Sequence, residues 1–303
     1  MNMFDIGIVG CGTAGMTAAI YGRRAGMDVA VFEGNTYGGQ IVVTPEVENY
    51  PGFEKISGFE LADSMFKQAN ELGAKMVFDQ INKIRKTDSG FALEGDFGTY
   101  EARTVIIATG ATNRHLGIEG EDRLTGRGIS YCATCDGAFF KDKVTAVAGG
   151  GNTAVEDALY LAGLCTKVYL IHRRDEFRAE EALISRARQT PNIEILTPCV
   201  TESLEGDDKL SSITVKNVSD GSSRKIDVDG LFVAIGQVPA TAAAADLVEI
   251  EGGYIKAGED CVTSCPGVFV AGDVRTKHVR QLTTAASDGA VAALAAVSCI
   301  KMQ

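Results

Sequence analysis

The chain has 303 residues, of which 45% are hydrophobic, and it carries a formal net charge of −11. This length accommodates about two domains, and this composition is that of an ordinary globular core. The acidic balance argues against nucleic acid and anionic membranes as partners, because both select basic surfaces.

The first predicted elements are a strand over residues 4–9, a helix over residues 16–25 and a strand over residues 29–32. Between the first strand and the helix stands GCGTAG, a GxGxxG fingerprint of dinucleotide-binding folds. Its glycines let a pyrophosphate approach the N-terminus of the helix. Glu33, 23 residues after Gly10, is placed to accept hydrogen bonds from ribose hydroxyls. The segment therefore predicts a site for a dinucleotide whose adenosine ribose is not phosphorylated.

A pair of cysteines with two residues between them, Cys132 and Cys135, precedes a second nucleotide fingerprint. Two thiols at this spacing can close a small disulfide whose reactivity the protein sets locally. Nucleotide-binding segments on both sides favour a redox pair over two structural cysteines. Asp136, directly after the pair, is a candidate acid or base for thiol chemistry, with a turn residue or helix N-cap as the alternative.

The second fingerprint, GGGNTA at residues 149–154, lies between a predicted strand at 144–148 and a helix at 155–162. The next strand is predicted at 167–171, and the interval that leads to Glu33 in the first copy leads here to His172. Arg173, Arg174 and Arg178 follow, and guanidinium groups suit a ribose 2′-phosphate. The second site is therefore predicted to bind NADPH, the alternative being a solvated basic patch.

Three further strands are predicted over residues 104–110, 231–236 and 267–273. The third ends in Gly272 and Asp273, and this carboxylate is well placed to hold a flavin ribityl hydroxyl. A helix predicted from about Gln281 would point its positive N-terminus toward the same place. These segments predict that the first nucleotide site binds a flavin.

These motifs resemble the low-molecular-weight, prokaryotic-type thioredoxin reductases over essentially the whole chain. The resemblance rests on GGQ at 38–40, EVENYPG at 46–52, CATCDG at 132–137, the segments 149–156 and 172–178, and Gly272-Asp273 with Arg280-Gln281. It implies an α/β fold with two Rossmann-like nucleotide-binding domains of the two-dinucleotide-binding-domain flavoprotein type, the second inserted into the first. The implied FAD domain comprises residues 1–113 and 242–303, and the implied NADPH domain, which carries the CxxC, comprises residues 114–241.

The resemblance also implies roles for individual residues. Cys135 is expected to face the flavin, Cys132 to attack the disulfide of thioredoxin, and Asp136 to protonate the leaving thiolate. The residues expected at FAD are Gly10, Gly12, Thr13, Ala14, Gly15, Glu33, Gly34, Gly38, Gly39, Gln40, Thr44, Asn49, Thr109, Gly110, Gly272, Asp273, Arg280, Gln281 and Leu282. Those expected at NADPH are Gly149, Gly151, Asn152, Thr153, Ala154, Glu156, His172, Arg173, Arg174, Arg178, Ile235 and Gly236.

The implied enzyme is a homodimer that reduces thioredoxin with NADPH. Because the dithiol and the nicotinamide must both reach one flavin, the inserted domain is expected to rotate about residues 113–117 and 240–243. A ferredoxin-linked thioredoxin reductase and a small-molecule dithiol oxidase of the same fold are the alternatives. Both tend to lack the paired nucleotide motifs that stand in this chain.

The remaining cysteines carry no redox prediction. Cys261 and Cys265 are expected to be buried structural thiols, and no group of residues has the spacing of metal ligands. Eight cysteines in a chain of this length do not form a secreted disulfide framework, and a CxxC disulfide is usually transient in a reducing cytosol. The N-terminus lacks the basic region of a signal peptide, and no apolar stretch is predicted to span a membrane, so a cytoplasmic protein is expected.

Overall fold

Two compact units make up the computed structural model, which describes residues 3–302. The first unit takes the chain as far as Thr112 and again from Val238 onward. The second unit, Asn113–Gln237, is inserted between these two parts. Residues 1, 2 and 303, which the sequence assigns to the FAD domain, lie outside the described residues.

The strands and α-helices follow one another along both units, and their bounds are as follows. In chain order they are β1 (Phe4–Val9), α1 (Thr13–Arg24), β2 (Val29–Phe32), α2 (Gly58–Glu71), β3 (Lys75–Val77), β4 (Ile81–Lys86), β5 (Phe91–Gly95), β6 (Thr99–Ile107), β7 (Ala111–Asn113), α3 (Glu121–Leu124), β8 (Ile129–Ser130), α4 (Ala133–Asp136), β9 (Val144–Ala148), α5 (Asn152–Ala162), β10 (Lys167–Ile171), α6 (Glu181–Gln189), β11 (Ile193–Leu196), β12 (Cys199–Glu205), β13 (Ser212–Asn217), β14 (Ser223–Asp227), β15 (Gly230–Val233), β16 (Gln237–Pro239), β17 (Ile250–Glu251), β18 (Tyr254–Ile255), β19 (Val268–Val270) and α7 (Leu282–Met302).

The first unit is organised around a seven-stranded sheet in the order β3-β2-β1-β6-β5-β4, with β19 also paired to β6. Strands β3, β2, β1, β6 and β19 are parallel, whereas β5 and β4 add an antiparallel edge. Ile6 and Ile8 of β1 join the core shared with α1, α2 and α7, and Phe4 and Val9 join the core on the opposite face. The central strands are therefore buried on both faces, as parallel strands in α/β folds are.

Helix α7 bears on the prediction that no apolar stretch spans a membrane. Its 21 residues are long and apolar enough to cross one, but the core helix of a soluble protein meets the same two criteria. The helix nevertheless packs closely on α1, since a Cβ added at Gly289 would collide with the carbonyl of Ala14. It also carries Asp288, which is buried and ion-paired with Arg275 and Lys277. These contacts place α7 in the core of the first unit.

The second unit contains a five-stranded parallel sheet in the order β11-β10-β9-β15-β8 and a three-stranded antiparallel sheet, β12-β13-β14. Helix α5 packs on the parallel sheet through Ala154, Val155, Ala158 and Leu161, all of them buried. The unit therefore has its own hydrophobic core and its own strand–turn–helix at the second fingerprint.

The predicted elements agree closely with the structure at both fingerprints. The strands predicted over residues 4–9, 29–32, 144–148 and 167–171 are confirmed with the same bounds. Helices α1 and α5 each begin three residues before the predicted start, because the last residues of each fingerprint are already helical. The division between the units falls before 238 because Ala240 bonds back to the first unit, through its N–H to the carbonyl of Gly110 at 3.0 Å.

Candidate active site

The predicted cysteine pair forms a disulfide in the second unit, with Cys132 directly before α4 and Cys135 within it. The Cα atoms of Cys132 and Cys135 are 5.3 Å apart, within the usual range for a disulfide. The carbonyl of Cys132 accepts hydrogen bonds from the N–H groups of Cys135 at 3.3 Å and Asp136 at 3.1 Å. Ala133, between the two cysteines, is buried in the core around α5. The backbone of the turn is thus fixed by hydrogen bonds and by the burial of Ala133. Of the two cysteines, Cys135 is exposed and Cys132 is half-buried.

Ser130 connects Asp136 to the backbone of the redox turn. Its hydroxyl donates to Oδ2 of Asp136 at 2.6 Å and accepts from the N–H of Cys132 at 3.1 Å. Burial raises the pKa of Asp136 above its ordinary value, and the hydrogen bond from Ser130 opposes that rise. Ser130 was not predicted, because a serine two residues before a CxxC carries no distinguishing sequence pattern.

A second group ties the redox strand to the segment that enters the unit. Glu121 is buried, and its carboxylate accepts from the N–H groups of Leu116 at 2.9 Å and Gly117 at 2.8 Å. The hydroxyl of Tyr131, the residue before Cys132, donates to the same carboxylate at 2.8 Å. The ring of His115 lies beside Tyr131, with Nδ1 at 3.1 Å from its hydroxyl. The entering segment and the redox turn are therefore held through one carboxylate.

In the first unit the GxGxxG turn has the geometry of a phosphate-binding loop. Gly10 has a φ of 106°, and a Cβ there would collide with the carbonyl of Ala108. At Gly12, in contrast, an added Cβ would meet no atom within 4 Å, so the backbone presents an open face. Glu33 holds the turn, because its carboxylate accepts from the N–H of Cys11 at 2.9 Å.

The other residues predicted to bind FAD lie in three places: just after the carboxyl ends of β1, β2, β6 and β19, in the loop after β2, and at the start of α7. Ligands bind at this edge of open parallel sheets. The side-chain amide of Gln40 donates to the carbonyl of Ala111, and that of Asn49 donates to Gln281 at 3.4 Å. Oδ1 of Asp273 is buried and has no hydrogen-bond partner within residues 3–302. Burial also raises the pKa of this carboxyl.

Asp288 supports the turn that carries Asp273 and was not predicted from the sequence. It accepts from the N–H of Gly272 at 2.9 Å, from Nε of Arg275 at 2.8 Å and from Nζ of Lys277 at 2.8 Å. Burial raises the pKa of Asp288, but the cationic side chains of Arg275 and Lys277 hold it below its ordinary value. A carboxylate in the second turn of an apolar helix gives no sequence signal of such contacts.

The second fingerprint repeats the geometry of the first. A Cβ at Gly149 would collide with the carbonyl of Ala234, whereas one at Gly151 would meet no atom within 4 Å. The imidazole of His172 is buried beneath this turn, and its ring occupies the space that a Cβ at Gly150 would need. Nε2 of His172 lies 3.1 Å from the carbonyl of Glu176. This placement gives His172 a supporting position, and its predicted contact with the coenzyme stays a prediction.

The three arginines that follow His172 project into solvent. Arg173, Arg174 and Arg178 are exposed, and none forms a salt bridge with another described residue. The N–H of Arg178 donates to the carbonyl of Gly150 at 2.8 Å, which brings its backbone to the fingerprint turn. Guanidinium groups left without protein carboxylates are available to a phosphate.

The remaining cysteines do not form a second pair. Cys261 and Cys265 are buried and free, and they belong to the cores on opposite faces of the first sheet. Burial raises the pKa of Cys11, in the first fingerprint, to about 12, so this thiol stays protonated. Within the part of the chain that the structure describes, no three His, Cys, Asp or Glu side chains are grouped as metal ligands.

Comparisons with known proteins agree with this arrangement. Residues 4–289 match the pyridine nucleotide-disulphide oxidoreductase family. The chain is 44% identical to a thioredoxin reductase of Treponema pallidum over 98% of this chain and 97% of that protein. The solved thioredoxin reductase structures from Streptococcus pyogenes and Giardia duodenalis are 40% and 36% identical, each with a TM-score of 0.95. The alignments cover 99% of both chains for the former and all of both chains for the latter.

The two-unit α/β fold and the disulfide define an oxidoreductase of the two-domain, Rossmann-like flavoprotein class. The chain belongs to the thioredoxin reductases of the pyridine nucleotide-disulphide oxidoreductase family. Membership in this family implies an enzyme that uses a flavin and a pyridine nucleotide.

Proposed function

We propose that this protein is an NADPH-dependent FAD enzyme that reduces the disulfide of thioredoxin through Cys132 and Cys135. The observation that carries the proposal is the Cys132–Cys135 disulfide in the same unit as a nucleotide fingerprint followed by three arginines that form no salt bridge with any described residue. The relatives named above, which are thioredoxin reductases, support thioredoxin as the substrate.

The residues of the first unit fit FAD. The open backbone face at Gly12 leaves room for a pyrophosphate beside the start of α1. Glu33 offers a carboxylate to an unphosphorylated ribose, and the unpartnered Oδ1 of Asp273 offers a buried acceptor to a ribityl hydroxyl. The 1–113 and 242–303 segments would together form this FAD domain.

The residues of the second unit fit NADPH. Gly151 offers the same open face, and Asn152 and Thr153 begin the helix beside it. Arg173, Arg174 and Arg178 supply the positive charge that a 2′-phosphate needs, and no acid stands at the position corresponding to Glu33. When bound, the reduced nicotinamide and the flavin supply the electron pair that opens the Cys132–Cys135 disulfide.

The chain's own thiols then perform the exchange with thioredoxin. The thiolate of Cys132 attacks one sulfur of thioredoxin's disulfide, forms a mixed disulfide and releases the other thioredoxin sulfur. Cys135 next attacks the sulfur of Cys132, which closes the Cys132–Cys135 disulfide and releases reduced thioredoxin. Asp136, whose pKa is raised by burial, donates a proton to the leaving thiolate.

We further propose that the inserted unit rotates during turnover, because the dithiol and the nicotinamide must reach the same flavin in turn. The contacts within each unit would shorten the first predicted pivot, residues 113–117, and would shift the second, residues 240–243, toward the N-terminus. Glu121 fixes Leu116 and Gly117 within the second unit, so the entering pivot would lie before Leu116. Ala240 is bonded within the first unit, so the returning pivot would lie before Ala240.

A covalent cross-link between the two units is expected to stop multiple turnovers of thioredoxin reduction, since only one of the two encounters would remain possible. Steady-state assays before and after cross-linking, with linkage confirmed by mass spectrometry, measure the effect. Undiminished turnover of the cross-linked protein would contradict the rotation.

We also propose a cytoplasmic homodimer. A cavity of about 500 Å³ on the first unit is bordered by α1, α2 and α7, and its lining includes the exposed rings of Tyr21 and Phe53. Exposed apolar patches of this kind mark protein interfaces. Sedimentation equilibrium at micromolar concentration is expected to give twice the chain mass of 32.0 kDa, and a monomer would contradict the dimer.

The proposed activity is tested by NADPH oxidation in the presence of oxidised thioredoxin. The protein reconstituted with FAD is expected to turn over many times with NADPH and thioredoxin, and only slowly with NADH. Reduced ferredoxin as donor, and small dithiols with oxygen as acceptor, test the two alternatives in parallel. If the protein turned over only with reduced ferredoxin, or only with small dithiols and oxygen, the proposal would be wrong and the corresponding alternative would be correct.

A further inference from the structure

We propose that Ser130 is a positioning residue for the dithiol chemistry, whose hydroxyl serves both protonation states of Asp136. This inference deepens the proposed function, because it rests on Asp136 as the acid of the thiol exchange. An acid that gives up and regains a proton in every cycle needs a partner that is satisfied in both states.

The geometry around Ser130 supplies two acceptors for its single proton. Oγ of Ser130 lies 2.6 Å from Oδ2 of Asp136 and 3.3 Å from the carbonyl oxygen of Cys132. The same oxygen accepts from the N–H of Cys132 at 3.1 Å. A hydroxyl has one donor proton and two acceptor lone pairs, so one lone pair remains available.

These contacts allow two fully bonded arrangements. When Asp136 is ionised, Ser130 donates its proton to the carboxylate. When Asp136 is protonated, its O–H donates to the free lone pair of Ser130, and the proton of Ser130 turns to the carbonyl of Cys132, which it shares with the N–H groups of Cys135 and Asp136. The proton of Asp136 stays on Asp136 until it is delivered to a thiolate, so Ser130 itself is neither acid nor base.

Because Ser130 and the carboxyl of Asp136 are shielded from water, the hydrogen bond between them has a large effect on the pKa of Asp136. Ser130 is only 5% exposed, and no other side chain within the described residues hydrogen-bonds the carboxyl of Asp136. A buried carboxylate without donors is strongly disfavoured, which raises its pKa. The hydroxyl of Ser130 therefore limits the rise of the Asp136 pKa, and it orients this acid on the backbone of the attacking cysteine.

The test measures the pKa of Asp136 directly. Protein labelled with ¹³C-aspartate is titrated by NMR in the disulfide form, and the Asp136 resonance is identified by its loss in Asp136→Asn. Ser130→Ala is expected to raise the pKa of Asp136 by about one unit or more, since a hydrogen bond to a charged group is removed. Ser130→Thr keeps a hydroxyl and is expected to titrate like the unmodified protein.

Ser130→Val is the matched partner of Ser130→Thr, since the two side chains have the same shape and differ only in the hydroxyl. The Val variant is expected to show the same upward shift as Ser130→Ala. A pKa of Asp136 that is unchanged in both Ala and Val variants would overturn the proposal. If one substitution prevents folding, the other decides the question in the same way.

Kinetics separate this inference from the proposed function. In thioredoxin assays, Ser130→Ala is expected to shift the pH profile of kcat/KM to higher pH, in step with the raised pKa of Asp136. Ser130→Thr is expected to restore the profile of the unmodified protein. The NMR titration needs no thioredoxin, so a shifted pKa without any thioredoxin reduction would contradict the proposed function alone. A profile that falls equally at every pH, with the pKa unmoved, would indicate a merely structural serine.

Discussion

Replacement of Cys135 by serine is expected to lower thioredoxin reduction by about 10³-fold or more, while NADPH continues to bleach the bound flavin. The reason is that exchange needs two sulfurs, and a serine hydroxyl neither forms a disulfide nor ionises near neutral pH. Replacement of Cys132 is expected to have the same effect on turnover, because this thiol is the proposed attacking group. Steady-state assays and anaerobic flavin spectra give the two readouts.

Cys199 offers a matched control for these variants. It is a free, half-buried cysteine of the same unit, at the start of β12 and outside the redox turn. Cys199→Ser is therefore expected to keep the full rate. If either Cys132→Ser or Cys135→Ser retained more than about a tenth of the activity, the Cys132–Cys135 pair would not be the path to thioredoxin.

The second large effect is expected on coenzyme choice. Replacing Arg173 and Arg174 with glutamine is expected to lower kcat/KM for NADPH by about 10²-fold or more and to leave the value for NADH nearly unchanged. Each substitution would remove a charge-assisted hydrogen bond to the 2′-phosphate, which contributes about 1.5–3 kcal/mol to the binding of NADPH. Parallel assays with the two coenzymes measure the ratio.

Arg188→Gln provides the control for general charge loss, because Arg188 lies on α6 of the same unit and pairs with Glu181 at 3.2 Å. It is expected to leave both coenzymes unaffected. An equal loss for NADPH and NADH in the double variant would show that the arginines do not recognise the 2′-phosphate.

The strands and fingerprints could be predicted because their signals are local. The strand over residues 144–148 is apolar apart from Thr145 and ends at a glycine turn, and β9 has these bounds. The Cys132–Cys135 disulfide could be predicted from the spacing of the two cysteines together with the nucleotide fingerprints on both sides of them. Positions such as Gly10 likewise follow from the sequence, since a positive φ and a close backbone approach require glycine.

Residues defined by their contacts could not be predicted in the same way. Ser130, Glu121 and Asp288 are single polar residues whose importance comes from donors that the fold brings to them. His172 shows the limit of counting along the chain, since the interval predicts its position after β10 but not the direction of its ring. The structure turns that ring beneath Gly150.

Helix α7 shows a related limit. Its long apolar composition suits a membrane as well as a protein core, and the sequence does not distinguish the two. The distinction comes from Asp288, whose buried ion pairs with Arg275 and Lys277 bind this helix to the turn after β19. A charge inside an apolar helix identifies a core position only when its partners are known.

Electron counting under anaerobic conditions tests whether the Cys132–Cys135 disulfide accepts electrons together with the flavin. The FAD-loaded protein is titrated with dithionite while flavin absorbance and free thiols are measured together. We expect the unmodified protein to take up four electrons per chain, two in the flavin and two that convert the Cys132–Cys135 disulfide into thiols. The Cys132→Ser, Cys135→Ser double variant is expected to take up two. Uptake of two electrons by both proteins, with no thiol released, would contradict this expectation.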